Sequence, residues 1–318
     1  MNALVTGSSG FIGSILCELL REKDHRVLGC DNNLLAPDPK SVVRNLRISF
    51  DHDFVIHNIL LYNVDVIFHL AATSTVGPDA EDPLRYLENN TAKTITFLHK
   101  LAEAGWKGHF VFASTAAVYQ LQDVYGKHSK PLSEFSHTTS QDSIYGTSKM
   151  LCEKALYQAQ KYGINTTTFR FFNVAGSYKH LGEEAEDTHL LSRLCSNVLS
   201  DTLTTVYGND YLTADGTCVR DYVHVVDICE AMIWTVEGEH FGTFNLGLGR
   251  GVSVKQMIEQ FEMHTGQAVQ YVFGPRRPGD APYLIADPGL FIRQTGFSYK
   301  YSLRDIINST WEHYKNGI

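Results

Sequence analysis

Along the first 171 residues, short apolar runs alternate with longer segments whose apolar residues recur every third or fourth position. Ala3-Leu4-Val5 reads as a buried strand, Gly7-Ser8-Ser9-Gly10 interrupts it, and Phe11, Ile12, Ile15, Leu16, Leu19 and Leu20 then follow helical spacing. Residues 26–30 predict a second buried strand ending at Asp31, and residues 64–70 and 109–113 predict two more. Residues 84–104 read as a helix that buries Leu87, Ile95, Leu98 and Leu101; residues 145–162 read as another helix, and residues 165–171 as a threonine-rich strand. Strands alternating with helices predict an α/β fold, a doubly wound parallel sheet covered on both faces.

Past residue 172 the elements shorten, and residues 200–222 are rich in turn formers. Residues 252–264 and 302–314 predict helices. The pattern divides the chain into a first domain, residues 1–171, and a smaller α/β lobe, residues 172–318, with residues 223–248 partly returning to the first.

Composition narrows the partners. The 318 residues carry 27 Lys+Arg against 35 Asp+Glu, a net charge of −8, which argues against a nucleic-acid binder, while 43% apolar content supplies a sizeable core. A few arginines can still hold an anionic small ligand. The most apolar stretch, residues 54–72, is broken by His57, Asn58, Asn63, Asp65 and His69, short of the ~20 apolar residues a membrane span needs. The first residues lack the basic and apolar regions of a signal peptide. Six cysteines without a Cys-x-x-Cys pair read as reduced thiols of a cytoplasmic protein, with no metal site.

Two motifs carry chemistry. Thr6-Gly7-Ser8-Ser9-Gly10-Phe11-Ile12-Gly13 stands between the first strand and the first helix, the Rossmann-type arrangement. Gly7 permits a tight turn, Gly10 lets backbone amides approach a pyrophosphate, and Gly13 lets helix and strand pack closely, with the helix N-terminus adding partial positive charge. Asp31 lies 18 residues past Gly13, where a carboxylate accepts from adenosine ribose hydroxyls and repels a 2′-phosphate, so NAD is expected over NADP. Asp53 reads equally as an adenine contact or as a solvated loop residue. Further along, Tyr145-Gly146-Thr147-Ser148-Lys149 puts a phenol and an ammonium on one helix face. A neighbouring Lys⁺ together with an oxidised nicotinamide ring favours the phenolate. Ser114-Thr115 closes a strand, where ligands of such sheets sit, and offers a hydroxyl to pass a proton or hold a substrate oxygen.

With these residues in hand, the chain resembles the extended short-chain dehydrogenase/reductases, and within them the UDP-glucose 4-epimerases. The likeness runs through Phe68-His69-Leu70-Ala71-Ala72, Ser114-Thr115-Ala116-Ala117-Val118-Tyr119, Tyr145-Gly146-Thr147-Ser148-Lys149 and Phe171-Phe172-Asn173-Val174-Ala175-Gly176. More specific are Tyr207-Gly208-Asn209-Asp210-Tyr211, the run from Asp215 to Val225, and Arg276-Arg277-Pro278-Gly279-Asp280. The resemblance implies NAD held by Gly7, Gly10, Phe11, Ile12, Gly13, Asp31, Asn32, Asp53, Ala71 and Lys149. It implies Thr115, Tyr145 and Lys149 as the catalytic set. It implies a UDP-sugar contacted by Asn173, Tyr207, Arg220, Arg277, Asp280 and Leu284, with the two arginines on the diphosphate. There are departures: Ser74 stands where a lysine is frequent, His189 where an asparagine is usual, and Gln120 where glycine is common.

The activity implied is 4-epimerisation of a nucleotide sugar through a 4-keto intermediate, UDP-Glc/UDP-Gal first and UDP-GlcNAc/UDP-GalNAc with it. The N-acetyl extension rests on Leu284, smaller than the aromatic residue that restricts the pocket at C2; Tyr283 turning inward is the alternative. Two other functions compete: a nucleotide-sugar 4,6-dehydratase or decarboxylase, and a non-catalytic NAD sensor. Ala116-Ala117 after Thr115 cannot do the acid–base work of dehydration, and an intact Tyr–Lys pair is superfluous in a sensor. The resemblance further implies a homodimer built on residues 84–104 and 145–162.

Overall fold

The structure is a computed structural model and describes residues 1–33, 42–74, 82–120, 130–138, 143–183, 189–277 and 279–317. The first part of the chain runs β1 (Asn2–Thr6), α1 (Phe11–Glu22), β2 (Arg26–Cys30), β3 (Arg44–Leu46), α2 (Asp53–Leu61), β4 (Val66–His69), α3 (Pro83–Tyr86), α4 (Lys93–Glu103), β5 (His109–Thr115), α5 (Ile144–Ala159) and β6 (Asn165–Phe171). It continues with β7 (Asn173–Ala175), α6 (Leu190–Leu199), β8 (Thr204–Tyr207), β9 (Val219–His224), α7 (Val225–Glu237), β10 (Gly242–Leu246) and β11 (Gly251–Ser253). The last elements are α8 (Val254–Thr265), β12 (Tyr271–Gly274), β13 (Tyr283–Leu284), α9 (Gly289–Thr295) and α10 (Leu303–Gly317).

Among the described residues, seven strands form one parallel sheet in the order β10-β6-β5-β4-β1-β2-β3. Its strands read as continuous apolar runs because both faces are covered. On one face Ile15, Leu16 and Leu20 of α1 pack with Ile228 and Met232 of α7. On the other, Phe97 and Leu101 of α4 pack with Cys152 and Leu156 of α5. α7 and β10 come from the later sequence. The remaining strands are short: β9 pairs with β7, β11 and β13, and β8 with β12. A third core, with Leu194, Met257, Phe261 and Trp311, lies beneath α6, α8 and α10.

The segment 84–104 is not one continuous α-helix. A π-helical turn, Leu87–Ala92, separates α3 from α4. The buried stripe runs through Asn90, Thr91, Thr94, Phe97, Leu98 and Leu101, while Ile95, expected inside, is 47% exposed. The stripe starts with polar residues because they bond to α5: Asn90 Nδ2 donates to Ser148 Oγ at 3.0 Å, and Thr91 Oγ1 to the Ser148 carbonyl at 3.0 Å. A hydrophobic count sets the phase wrongly where the buried contacts are hydrogen bonds. Among the described residues no helix is long and apolar enough to cross a membrane.

Candidate active site

The strand order reverses between β1 and β4, and ligands of open α/β sheets sit beyond the strand ends at such a switch. Two loops meet there. Gly7, with φ +71°, follows β1, and a side chain on it would lie 2.9 Å from the Ala71 amide nitrogen after β4. Gly13 is equally constrained, since a Cβ there would lie 2.0 Å from the Gly7 carbonyl oxygen. Gly10 differs: a Cβ on it would meet only that carbonyl, at 3.4 Å. Protein packing therefore explains Gly7 and Gly13 but not Gly10, where a side chain would intrude on space in front of the loop.

This cradle fits a dinucleotide pyrophosphate. α1 starts at Phe11 with no side-chain cap and no acidic residue in its first turn, leaving the amides of Phe11, Ile12 and Gly13 for an anion. Ser9 Oγ is buried beside them without a hydrogen-bond partner. At the end of β2, Asp31 is fixed by the Ser9 amide on Oδ2 at 3.0 Å and the Asn33 amide on Oδ1 at 2.9 Å, with lone pairs left for a ribose diol. Asn32 beside it is exposed. Behind the loops, His69 bridges Thr6 Oγ1 at 2.8 Å and Thr94 Oγ1 at 3.0 Å. Burial pushes its imidazole down to about 3, so it serves as a neutral strut. Asp53, the first residue of α2, is exposed and ion-paired with Lys100 Nζ at 2.5 Å.

The second cluster lies one strand over, where α5 packs on the end of β5. Ser143 caps α5, accepting from the Gly146 amide at 3.1 Å. Tyr145, Lys149 and Glu153 follow at four-residue steps along one face. Each step meets a successive part of β5. The Tyr145 phenol comes up beside Thr115, whose hydroxyl favours the phenolate. Lys149, 3% exposed, donates from Nζ to the Ala113 carbonyl at 2.7 Å, and its Nζ lies 4.8 Å from the Phe112 ring centroid. Glu153 accepts from Ser114 Oγ at 2.5 Å. Of the Ser114-Thr115 pair, Thr115 alone faces Tyr145.

Burial dominates the electrostatics here. It pushes the Tyr145 phenol up to about 12, against the pull of the Thr115 hydroxyl, and draws the Lys149 ammonium down to about 8, against the nearby Glu153 carboxylate. The expectation that Lys149 helps to lower the phenol is not met in the chain alone. The ammonium sits 5.9 Å from the Tyr145 ring centroid and spends its hydrogen bond on a carbonyl.

Around Glu153 lies a network that the motifs did not reveal. Arg170 of β6 grips Glu153 with two bonds, Nε to Oε1 at 3.1 Å and a terminal nitrogen to Oε2 at 2.8 Å. Its other terminal nitrogen donates to Tyr119 Oη at 3.1 Å, and Tyr119 donates to Asn245 Oδ1 of β10 at 2.5 Å. Glu153 was legible as the next step after Tyr145 and Lys149 on the helix; its partners were not.

The later candidates gather on the short strands. Asn173 opens β7 in register with Tyr222. Arg220 of β9 and Asp280 are brought together, but as an ion pair at 3.2 Å. Arg220 also donates to the carbonyls of Ala281 at 2.7 Å and Val219 at 3.0 Å. Tyr207, at the end of β8, lies under two guanidinium groups: Cζ of Arg277 is 4.0 Å from its ring centroid and that of Arg193, on α6, is 5.7 Å. Sequence reasoning missed Arg193. Leu284 pairs with Arg220 and Tyr283 with Val219, so strand alternation turns them to opposite faces. Leu284 packs against the cluster of Ala116, Tyr119, Leu132 and Phe172, close to the end of β5.

Known proteins share this fold. The profile of the NAD dependent epimerase/dehydratase family matches residues 3–247. The chain is 33% identical over 320 residues to the UDP-glucose 4-epimerase of Corynebacterium glutamicum, covering 98% of this chain and 95% of the relative. Its fold superposes with TM-score 0.91 on the UDP-glucose 4-epimerase of Stenotrophomonas maltophila, solved with NAD and formylated UDP-arabinopyranose, at 29% identity and covering 99% of this chain and 98% of that one. It superposes with TM-score 0.84 on MoeE5, solved with UDP-glucuronic acid and NAD, at 28% identity and full coverage of both chains. A match over most of the length, a glycine cradle that fits NAD and the shared fold lead to one conclusion: the chain belongs to the NAD-dependent epimerase/dehydratase family, as an NAD-dependent enzyme of the nucleotide-sugar epimerase type.

Proposed function

We propose that this chain interconverts UDP-glucose and UDP-galactose, and the corresponding N-acetylhexosamines, by epimerisation at C4. The observation that carries the proposal is the meeting of Tyr145 with Thr115 at the end of β5, with Ala116 and Ala117 following Thr115. NAD⁺, when bound, would supply the hydride acceptor. Tyr145 takes the proton of the sugar 4-hydroxyl as the carbon becomes a ketone and returns it when the carbon is reduced from its other face. The Thr115 hydroxyl holds the same oxygen. Lys149, charged at neutral pH, would hold the nicotinamide ribose. Asp31 and the amides of the glycine loop would hold the adenosine half.

Asn173, Arg220, Arg277, Asp280, Tyr207 and Leu284 form the substrate side. Dehydration is disfavoured because the two alanines cannot move a proton. A UDP-hexuronate is the second substrate class to test, since MoeE5 was solved with UDP-glucuronic acid. All six cysteines are buried and unbridged, which supports a reducing, cytoplasmic setting. Leu84, Ile95, Leu151 and Tyr157 expose apolar side chains on α3, α4 and α5, which supports a homodimer formed through those helices; light scattering tests it. The function is tested by NMR of UDP-sugars incubated with wild type and Tyr145→Phe. The variant should retain NAD and lose ~10²–10⁴-fold or more in rate. Near-normal turnover by it would refute the mechanism.

A further inference from the structure

Four arginines reach the end of the molecule that carries β8 and β9, and they fall into two classes. Arg220 is neutralised by Asp280 at 3.2 Å and Arg276 by Asp210 at 2.7 Å. Arg193 and Arg277 have no carboxylate within ion-pairing distance among the described residues. Both are half-buried, and both approach the half-buried ring of Tyr207. The two guanidinium groups beside it lower the pKa of the Tyr207 phenol. Two guanidinium groups converging on one aromatic ring repel each other and lose hydration. An arrangement of this kind is stable when an anion shares the site, because the planar forks match phosphate oxygens in pairs.

We infer that Arg193 is a substrate-binding residue that closes with Arg277 on the diphosphate of the nucleotide sugar, with Tyr207 as their common support. The inference rests on the reading that this chain binds a nucleoside diphosphate sugar, and it adds a third arginine to the pair assigned to the phosphates. Arg220, tied to Asp280 and two carbonyls, keeps Nε and one terminal N–H uncommitted. Arg193, which nothing in the motifs singled out, joins Arg220 and Arg277. Position on α6 favours this. Arg193 lies one turn into the helix and is half-buried, while its neighbours Leu191, Ser192, Leu194 and Cys195 are buried.

The test is calorimetric titration of the NAD-loaded protein with UDP and, separately, with UMP. Arg193→Ala should weaken UDP by about tenfold or more, as expected for losing a charge-assisted contact, and UMP by distinctly less. Arg193→Lys should recover part of the UDP affinity. In turnover, Arg193→Ala should raise KM with kcat little changed. Melting curves check that each variant is folded. If Arg277→Ala weakens UDP while Arg193→Ala leaves it within twofold, the inference about Arg193 is overturned and the substrate reading stands. If Arg193→Ala weakens UMP as much as UDP, Arg193 merely props Tyr207, and the inference is again overturned. If the wild-type protein binds neither ligand, the substrate reading falls and takes this inference with it.

Discussion

Ser114 and Glu153 hold a hydrogen bond of 2.5 Å directly behind the candidate catalytic pair, turning Ser114 away from Tyr145. The same carboxylate takes both bonds of the Arg170 fork, and the two side chains are 13% and 8% exposed. Because Glu153 shares its helix face with Tyr145 and Lys149, this contact fixes how α5 sits against β5.

Removing one partner of this buried pair should be costly. Glu153→Ala leaves Arg170 uncompensated and should destabilise the protein by about 3–5 kcal/mol. Ser114→Ala keeps the ion pair and should cost less, while lowering kcat more than it raises the KM for the sugar. Chemical denaturation and steady-state kinetics on both variants check this; equal stabilities for the two would contradict it.

Alkaline pH should stop activity before it unfolds the chain. Burial depresses Lys149 to about 8, so its charge disappears above that pH and kcat/KM should fall with a limb near there. That proton alone would make stability rise with pH between about 8 and 10.5, since only the unfolded chain still binds it. The buried thiols act in the opposite direction and outnumber it. Cys30 and Cys195 are raised to about 12, and Cys17, Cys152, Cys218 and Cys229 are raised as well. Their contribution is intact below the ordinary thiol range and is lost as pH climbs through the raised values. Parallel pH profiles of activity and melting temperature should therefore separate; coincident profiles would argue against Lys149.

Asp31 should make the protein select NAD. Its carboxylate is pinned by two amides and cannot swing away from a 2′-phosphate. Like charges at ~4 Å repel by about 1 kcal/mol even in water and by more where water is displaced, so NADP should bind at least about tenfold more weakly. Titration of the apoprotein with both cofactors measures this, and Asp31→Ala should narrow the gap.

Leu284, not Tyr283, lies on the face shared with Arg220 and the cluster near Thr115. Leu284→Tyr should overfill that side, costing about 1–3 kcal/mol wherever bulk must be accommodated. Turnover of the UDP-N-acetylhexosamines should drop by about tenfold or more, and that of the plain hexoses far less. Wild-type protein that turns over UDP-glucose but not UDP-GlcNAc would contradict this account of the pocket.

What could be read in the sequence was whatever the chain enforces locally. Gly7 and Gly13 are demanded by backbone contacts a few ångström away, and the strands of the main sheet by continuous burial. Tyr145 and Lys149 were legible because a helix fixes their spacing. Residues whose behaviour depends on a distant partner were not. Ile95 faces outward because Asn90 and Thr91 bond to α5, which no apolar count registers. Arg220 is held by Asp280, 60 residues away, and Asp53 by Lys100. Arg193 stands out only when α6 and β8 are placed side by side.

The central claim, oxidation and re-reduction at the same carbon, is tested most directly with UDP-glucose carrying deuterium at C4. The reaction is followed by NMR, with absorbance monitoring any reduced cofactor released. The expected result is UDP-galactose with the deuterium kept at C4, an equilibrium mixture approached from either sugar, and no reduced cofactor accumulating in solution. Deuterium lost from C4, reduced cofactor released in step with substrate consumed, or a 6-deoxy-4-keto product would contradict it.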